Sequence, residues 1–84
     1  MPDNLIVCRS LTYAQRTAAA LERSGISSHI VRTPAGLSSG GCSYSVRISE
    51  KRLTDAREAL RRTGIAPVRI LQTDGEGSYR EVFP

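Results

Sequence analysis

"ALERSGISSHIV" at residues 20–31 and "ALRRTGIAPVRI" at residues 59–70 are two copies of one pattern. Leu21 falls on Leu60, Gly25 on Gly64 and Ile26 on Ile65. Each copy reads as the end of a helix, a glycine stop and the approach to a strand. A glycine just past a helix adopts the left-handed conformation that ends it, and an apolar residue next to it folds back onto the last turn. The same spacing runs upstream, where "LIVCRS" (5–10) falls on "YSVRIS" (44–49), pairing Val7 with Val46 and Ser10 with Ser49. Each half therefore reads strand, helix, strand.

The helix limits have local causes. Ser10 and Ser49 are placed as N-caps, whose hydroxyls accept from a free amide of the first turn. Helix one carries Leu11, Ala14, Ala18 and Leu21 at helical spacing, and helix two carries Leu53, Ala56 and Leu60. "SHIVRT" and "VRILQT" follow as strands two and four, with Pro67 suiting an edge position. Two such units in series give βαββαβ. The expected fold is an α+β, ferredoxin-like sandwich: a four-stranded antiparallel sheet with both helices on one face and strands one and three as central neighbours. The expected domain covers residues 1–74. Gly75 and Gly77 then loosen a tail, 75–84, that either frays or docks through Tyr79, Val82 and Phe83.

Composition narrows the function. Eighty-four residues suffice for one small core. No apolar run approaches a membrane span, and "MPDNLIVCRS" lacks the basic start and long apolar stretch of a signal peptide. The expectation is a cytoplasmic protein with no membrane partner, whose two cysteines stay reduced. With His29 as the single histidine, those cysteines are too few for a zinc site. No Ser/His/Asp set, carboxylate pair or phosphate loop can be assembled, and no cofactor or metal is implied. The formal net charge is +4, and such a balance can attract nucleic acid, anionic metabolites or an acidic partner. The basic residues form no single run, which fits arginines spread over a solvated surface.

The remaining oddity is "LSSGGCSYS" (37–45), which joins the two halves and contains Cys42. In strand three, Tyr44, Val46 and Ile48 share the apolar parity that faces the helices. Cys42 has the same parity. Strand one aligned on strand three puts Leu5 and Val7 inward and Cys8 on the open face, opposite in sense to Cys42, which argues against a disulfide. The topology also brings the loop back where helix one begins and helix two ends. Free amides and the helix dipole favour a thiolate there and lower its pKa, with Ser10, Thr12 and either Arg61 or Arg62 as supporting groups. Gly36, Gly40 and Gly41 permit backbone amides to converge on a sulfur, and Ser38, Ser39 and Ser43 add hydroxyls. A plain flexible connection that contains a cysteine accounts for the spacing equally well. Cys8, inside an apolar strand, reads as a small hydrophobe.

Taken together, the short apolar strand, the helix ending in "ALERSGI", the strand closing on Pro34, and "LSSGGCSYSVRIS" before "ALRRTGI" resemble a known group. It is the selenium/sulfur carrier-like family of small bacterial domains, and the resemblance covers about residues 4–73. The family pattern runs from a proline through small residues to Gly-Cys-Gly ahead of an apolar strand. Gly41-Cys42 matches it, whereas Ser43 stands where the family usually has glycine. The resemblance implies a carrier rather than a stand-alone enzyme. Cys42 would accept sulfur or selenium as a persulfide or selenopersulfide and pass it from a donor protein to an acceptor protein.

Two other functions compete. A non-catalytic binding or dimerisation module would use the open sheet face, on which repeat parity places Ile6, Cys8, Ile30, Arg32, Ser45, Arg47, Arg69 and Leu71. That mixture suits a protein partner or a homodimer. RNA binding is disfavoured. RNA-recognition domains share the βαββαβ order but stack bases on aromatics of strands one and three. Here strand one has none, and Tyr44 points inward.

Overall fold

A computed structural model describes residues 3–34, 44–67, 69–73 and 78–82 of the chain. The elements are β1 (Asp3–Cys8), α1 (Leu11–Arg23), β2 (His29–Arg32), β3 (Tyr44–Ser49), a 3-10 turn (Glu50–Arg52), α2 (Leu53–Thr63), β4 (Arg69–Thr73) and β5 (Tyr79–Val82). They form one five-stranded sheet in the order β2-β3-β1-β4-β5. Every neighbouring pair is antiparallel. β1 and β3 are central neighbours, registered through Ile6 opposite Val46 and Cys8 opposite Tyr44.

Both helices stop as their sequences require. Ile26 N–H donates to Leu21 O at 2.9 Å and Gly25 N–H to Glu22 O at 2.9 Å. The second copy repeats this, with Ile65 N–H to Leu60 O at 3.0 Å and Gly64 N–H to Arg61 O at 3.2 Å. These are the paired bonds of the Schellman motif. Gly25 and Gly64 both have φ of 76°, where a side chain is strained. α1 opens on Ser10, whose extended backbone turns its hydroxyl to accept from Tyr13 N–H at 3.2 Å.

The core lies between the sheet and the helices. Ile6, Cys8, Val46 and Ile48 from the sheet meet Ala14, Ala20 and Leu21 of α1 and Ala56, Ala59 and Leu60 of α2 in one buried cluster. Each fully buried Leu or Ile contributes about 1.5–3 kcal/mol relative to exposure. On the other sheet face, Leu5, Val7 and Leu71 form a smaller buried cluster with Val31 against it. Ser45 is also buried there, and its hydroxyl is paired with that of Thr33 at 2.7 Å. Among the described core residues, the Asn4 side-chain amide is fully buried with no partner for either its nitrogen or its oxygen. An unpaired buried polar group costs about 1–3 kcal/mol.

Several expectations are corrected. The sheet has five strands, because Tyr79–Val82 pairs with β4 where four strands were expected. Ser49 caps the 3-10 turn through Lys51 N–H at 3.4 Å, and α2 begins three residues after that turn's start, at Leu53. Leu11 is 41 % exposed and does not join the α1 stripe, while Thr17 is buried in it. The faces of β1 are exchanged relative to the repeat reading. Ile6 and Cys8 face the helices, and Leu5 and Val7 face away. Ile30 and Arg32, which pair with Val46 and Tyr44, are likewise on the helix side. The opposite-face argument against a Cys8–Cys42 disulfide therefore loses its premise for Cys8. Cys42 lies outside the described residues.

Candidate functional site

Strand direction gathers one set of ends at a single edge of the sheet. β1 ends there at Cys8 and α1 starts there. β2 ends beside them at Arg32, and β3 starts at Tyr44. α2 also ends at this edge, and β4 starts at Arg69, two residues before the position opposite Leu5. The loop that contains Cys42 leaves the described chain at Pro34 and re-enters it at Tyr44, both at this edge. Cys42 itself, with Ser38, Ser39, Gly40, Gly41 and Ser43, lies outside the described residues.

The described groups around the loop's ends have definite roles. Ser10 is the N-cap of α1, and its hydroxyl oxygen accepts from Tyr13 N–H. The first backbone bond of the helix runs from Ala14 N–H to Ser10 O at 3.0 Å. The amides of Leu11 and Thr12 precede it and have no intrahelical acceptor, the usual condition of a helix start. Thr12 is exposed. Such a terminus carries partial positive charge and favours an anion nearby.

Arginine adds full charges to the same edge. The Arg9 guanidinium sits 5.0 Å from the centre of the Tyr13 ring, and Arg16 approaches the same ring at 5.9 Å. Arg32 lies 5.6 Å from the centre of Tyr44, its cross-strand partner. Each such contact contributes about 0.5–1 kcal/mol at an exposed site. Both tyrosines are half-buried and pack against the main core. At the end of α2, Arg61 pairs with Glu58 and Arg62 is exposed. Arg69 reaches Glu81 at 3.5 Å. A groove of about 690 Å³ opens beside the last turn of α2, lined by Leu60, Arg61, Ile65, Pro67 and Ile70 among others.

Cys8 stands just beneath this edge but is 3 % exposed. Its thiol donates to Ile6 O at 3.4 Å and lies 3.7 Å from Thr17 Oγ1. Buried within the helix-side cluster, it behaves as a small core residue.

Sequence reasoning missed the arginine–tyrosine pairs. The Tyr13–Arg16 pair was within reach of it, since a three-residue spacing places side chains on one helix face, whereas Arg9 precedes the N-cap of α1. Arg32 and Tyr44 are neighbours only through the β2–β3 register, which no local spacing encodes. No helix among the described residues is long and apolar enough to cross a membrane.

No curated protein and no solved structure matches the chain. A family model does match, over residues 3–72, an interval that takes in both β-α-β halves and the whole connection between them. By that match the chain belongs to the family described as "Putative Se/S carrier protein-like".

Proposed function

We propose that the chain is a sulfur or selenium carrier whose relay atom is the thiolate of Cys42. The observation that carries this is the family match across residues 3–72, which includes Gly41-Cys42 and both strand ends that flank the loop. The surroundings support it. The two ends of the loop meet the start of α1, whose first amides lack intrahelical acceptors, and an arginine-rich edge favours an anionic sulfur. Ser10, Thr12, Ser38, Ser39, Gly40, Gly41 and Ser43 are the proposed support for the charged atom. We read the topology as ferredoxin-like, with β5 added beyond the βαββαβ set.

The transfer needs no external oxidant. The Cys42 thiolate attacks the terminal sulfur of a donor protein's persulfide. The donor's S–S bond breaks, its thiolate leaves, and a persulfide anion forms on Cys42. An acceptor nucleophile then attacks that terminal sulfur, and the Cys42 thiolate is released. Selenium follows the same course as a selenopersulfide. Such exchange requires a nucleophilic, accessible sulfur that is not locked in a structural disulfide, so the reduced environment of the cytoplasm suits it. The protein's role is to carry an atom between proteins, not to turn over a substrate alone. Residues 1–74 form the carrier unit in this reading, and 75–84 is a docking tail of which β5 is part.

Mass spectrometry after incubation with a cysteine desulfurase and cysteine tests the reading. One added sulfur on the Cys42 peptide is expected, with Cys8 unmodified. Cys42→Ser should abolish the adduct and leave the circular dichroism spectrum unchanged. Absence of an adduct on Cys42 with every persulfide or selenopersulfide donor tried would refute the carrier role. The other reading, a homodimer through the sheet face away from the helices, has less support. The apolar residues buried there, Leu5, Val7 and Leu71, are at most 4 % exposed and offer little surface to drive association.

A further inference from the structure

Arginines 9, 16, 32, 61, 62 and 69 are scattered along the chain, yet the topology gathers them toward one edge, around the start of α1 and the ends of β2 and α2. Among the described acids on this side, Glu58 and Glu81 are held by Arg61 and Arg69. Asp3, Glu22, Glu50 and Asp55 all lie toward the opposite edge, at the starts of β1 and α2, the end of α1 and the turn after β3. The first turn of α1 has no acidic residue, although a helix start favours one. Among the described residues, no acidic side chain pairs with Arg9, Arg16, Arg32 or Arg62. Three of these four lie against tyrosine rings that are themselves packed on the core. A guanidinium laid on a ring loses little further freedom on binding and turns its N–H edge outward, the geometry that takes a carboxylate through two hydrogen bonds.

We propose that this arginine rim docks the acidic surface of a partner protein. The inference rests on the carrier reading only for the partner's identity, which is then the protein that gives or receives the sulfur or selenium. A carboxylate-rich partner face would be steered to the edge that holds both ends of the Cys42 loop. Nucleic acid is the poorer fit. Single-stranded nucleic acid needs exposed rings on which bases stack. Tyr13 and Tyr44 are half-buried and already covered by arginine, and the exposed Tyr79 lies opposite Thr73, at the far end of β4.

Fluorescence anisotropy with the full chain tests the proposal, using a labelled oligo-glutamate peptide and a single-stranded RNA of the same length as probes. The peptide should bind at low salt and weaken as salt rises. Arg9→Glu/Arg32→Glu/Arg62→Glu should weaken peptide binding about tenfold or more. Arg23→Glu/Arg47→Glu/Lys51→Glu, which changes net charge equally but away from the rim, should cost about twofold or less. Circular dichroism on both triple variants separates lost docking from lost folding. If either triple fails to fold, the single variants Arg32→Glu and Arg47→Glu carry the same comparison. Equal losses in the two sets, no peptide binding by the wild type at low salt, or tighter rim-dependent binding of the RNA would each overturn the proposal. Cys42→Ser should bind the peptide as the wild type does. A failed persulfide assay therefore leaves the docking result standing, and a failed docking assay leaves the persulfide result standing.

Discussion

The two β-α-β halves end their helices in the same way and begin them differently. At the ends, Leu21-Gly25-Ile26 and Leu60-Gly64-Ile65 make equivalent bonds at equivalent distances. At the beginnings, Ser10 leads straight into α1, whereas Ser49 leads into the 3-10 turn Glu50–Arg52 before α2 starts. Arg52, which flanks α2, makes no side-chain cap. The consequence reaches the strands. Residues of the two helices correspond at a spacing of thirty-nine, as in Leu21 and Leu60, but the strand residues that share the helix-facing side correspond at forty, as in Ile6 with Val46 and Cys8 with Ile48. The junction between strand and helix absorbs one residue. Because side chains alternate along a strand, that residue exchanges the two faces.

The largest effect that bears on this comparison is expected at Cys8. If strand faces followed the helix spacing, Cys8 would match Arg47, an exposed position, and would accept arginine. Its burial in the helix-side cluster predicts instead that Cys8→Arg unfolds the chain or removes about 3 kcal/mol or more in urea denaturation, because it buries an unpaired charge. A variant as stable as the wild type would return Cys8 to the solvent side. Next in size are the helix ends. Gly25→Ala and Gly64→Ala should each cost about 1–2 kcal/mol, since both backbones are left-handed and neither added Cβ meets an atom. Clearly unequal costs would break the equivalence of the two ends. The smallest effect sharpens the difference at the starts. Ser10→Ala should cost about 1 kcal/mol for a lost helix cap, and Ser49→Ala only a few tenths of that, since Ser49 supports a single short turn through a long bond.

What could be read from the residues depended on how local the determining interactions are. The helix stops are encoded within six residues, and the Gly-Ile pairs named them correctly. The sides of β1 were not legible. Leu5, Ile6, Val7 and Cys8 are all apolar because this central strand is buried on both faces, so alternation carries no information. The sides are set by partners far along the chain, Val46 and Ile70 for Ile6, and Leu71 for Leu5. β5 was hidden for a related reason. "YREV" has little apolar content, and only backbone pairing with β4 makes it a strand. At the candidate site, the N-cap role of Ser10 was legible, and the arginine rim was not. Its members form no run, and the fold alone collects them. The loop residues 36–43 named for thiol chemistry fall outside the described residues.

The placement of strands by character affects how the molecule meets copies of itself. The outer strands of the sheet, β2 and β5, have four residues each, and both expose charged or polar side chains such as His29, Arg32, Arg80 and Glu81. The apolar β1 is in the middle, and β4, with Ile70 and Leu71, has a neighbour on either side because β5 is present. A short, charged margin is a poor template for another chain's strand. The most apolar strands are thereby kept away from the sheet boundary, where runaway cross-strand growth begins.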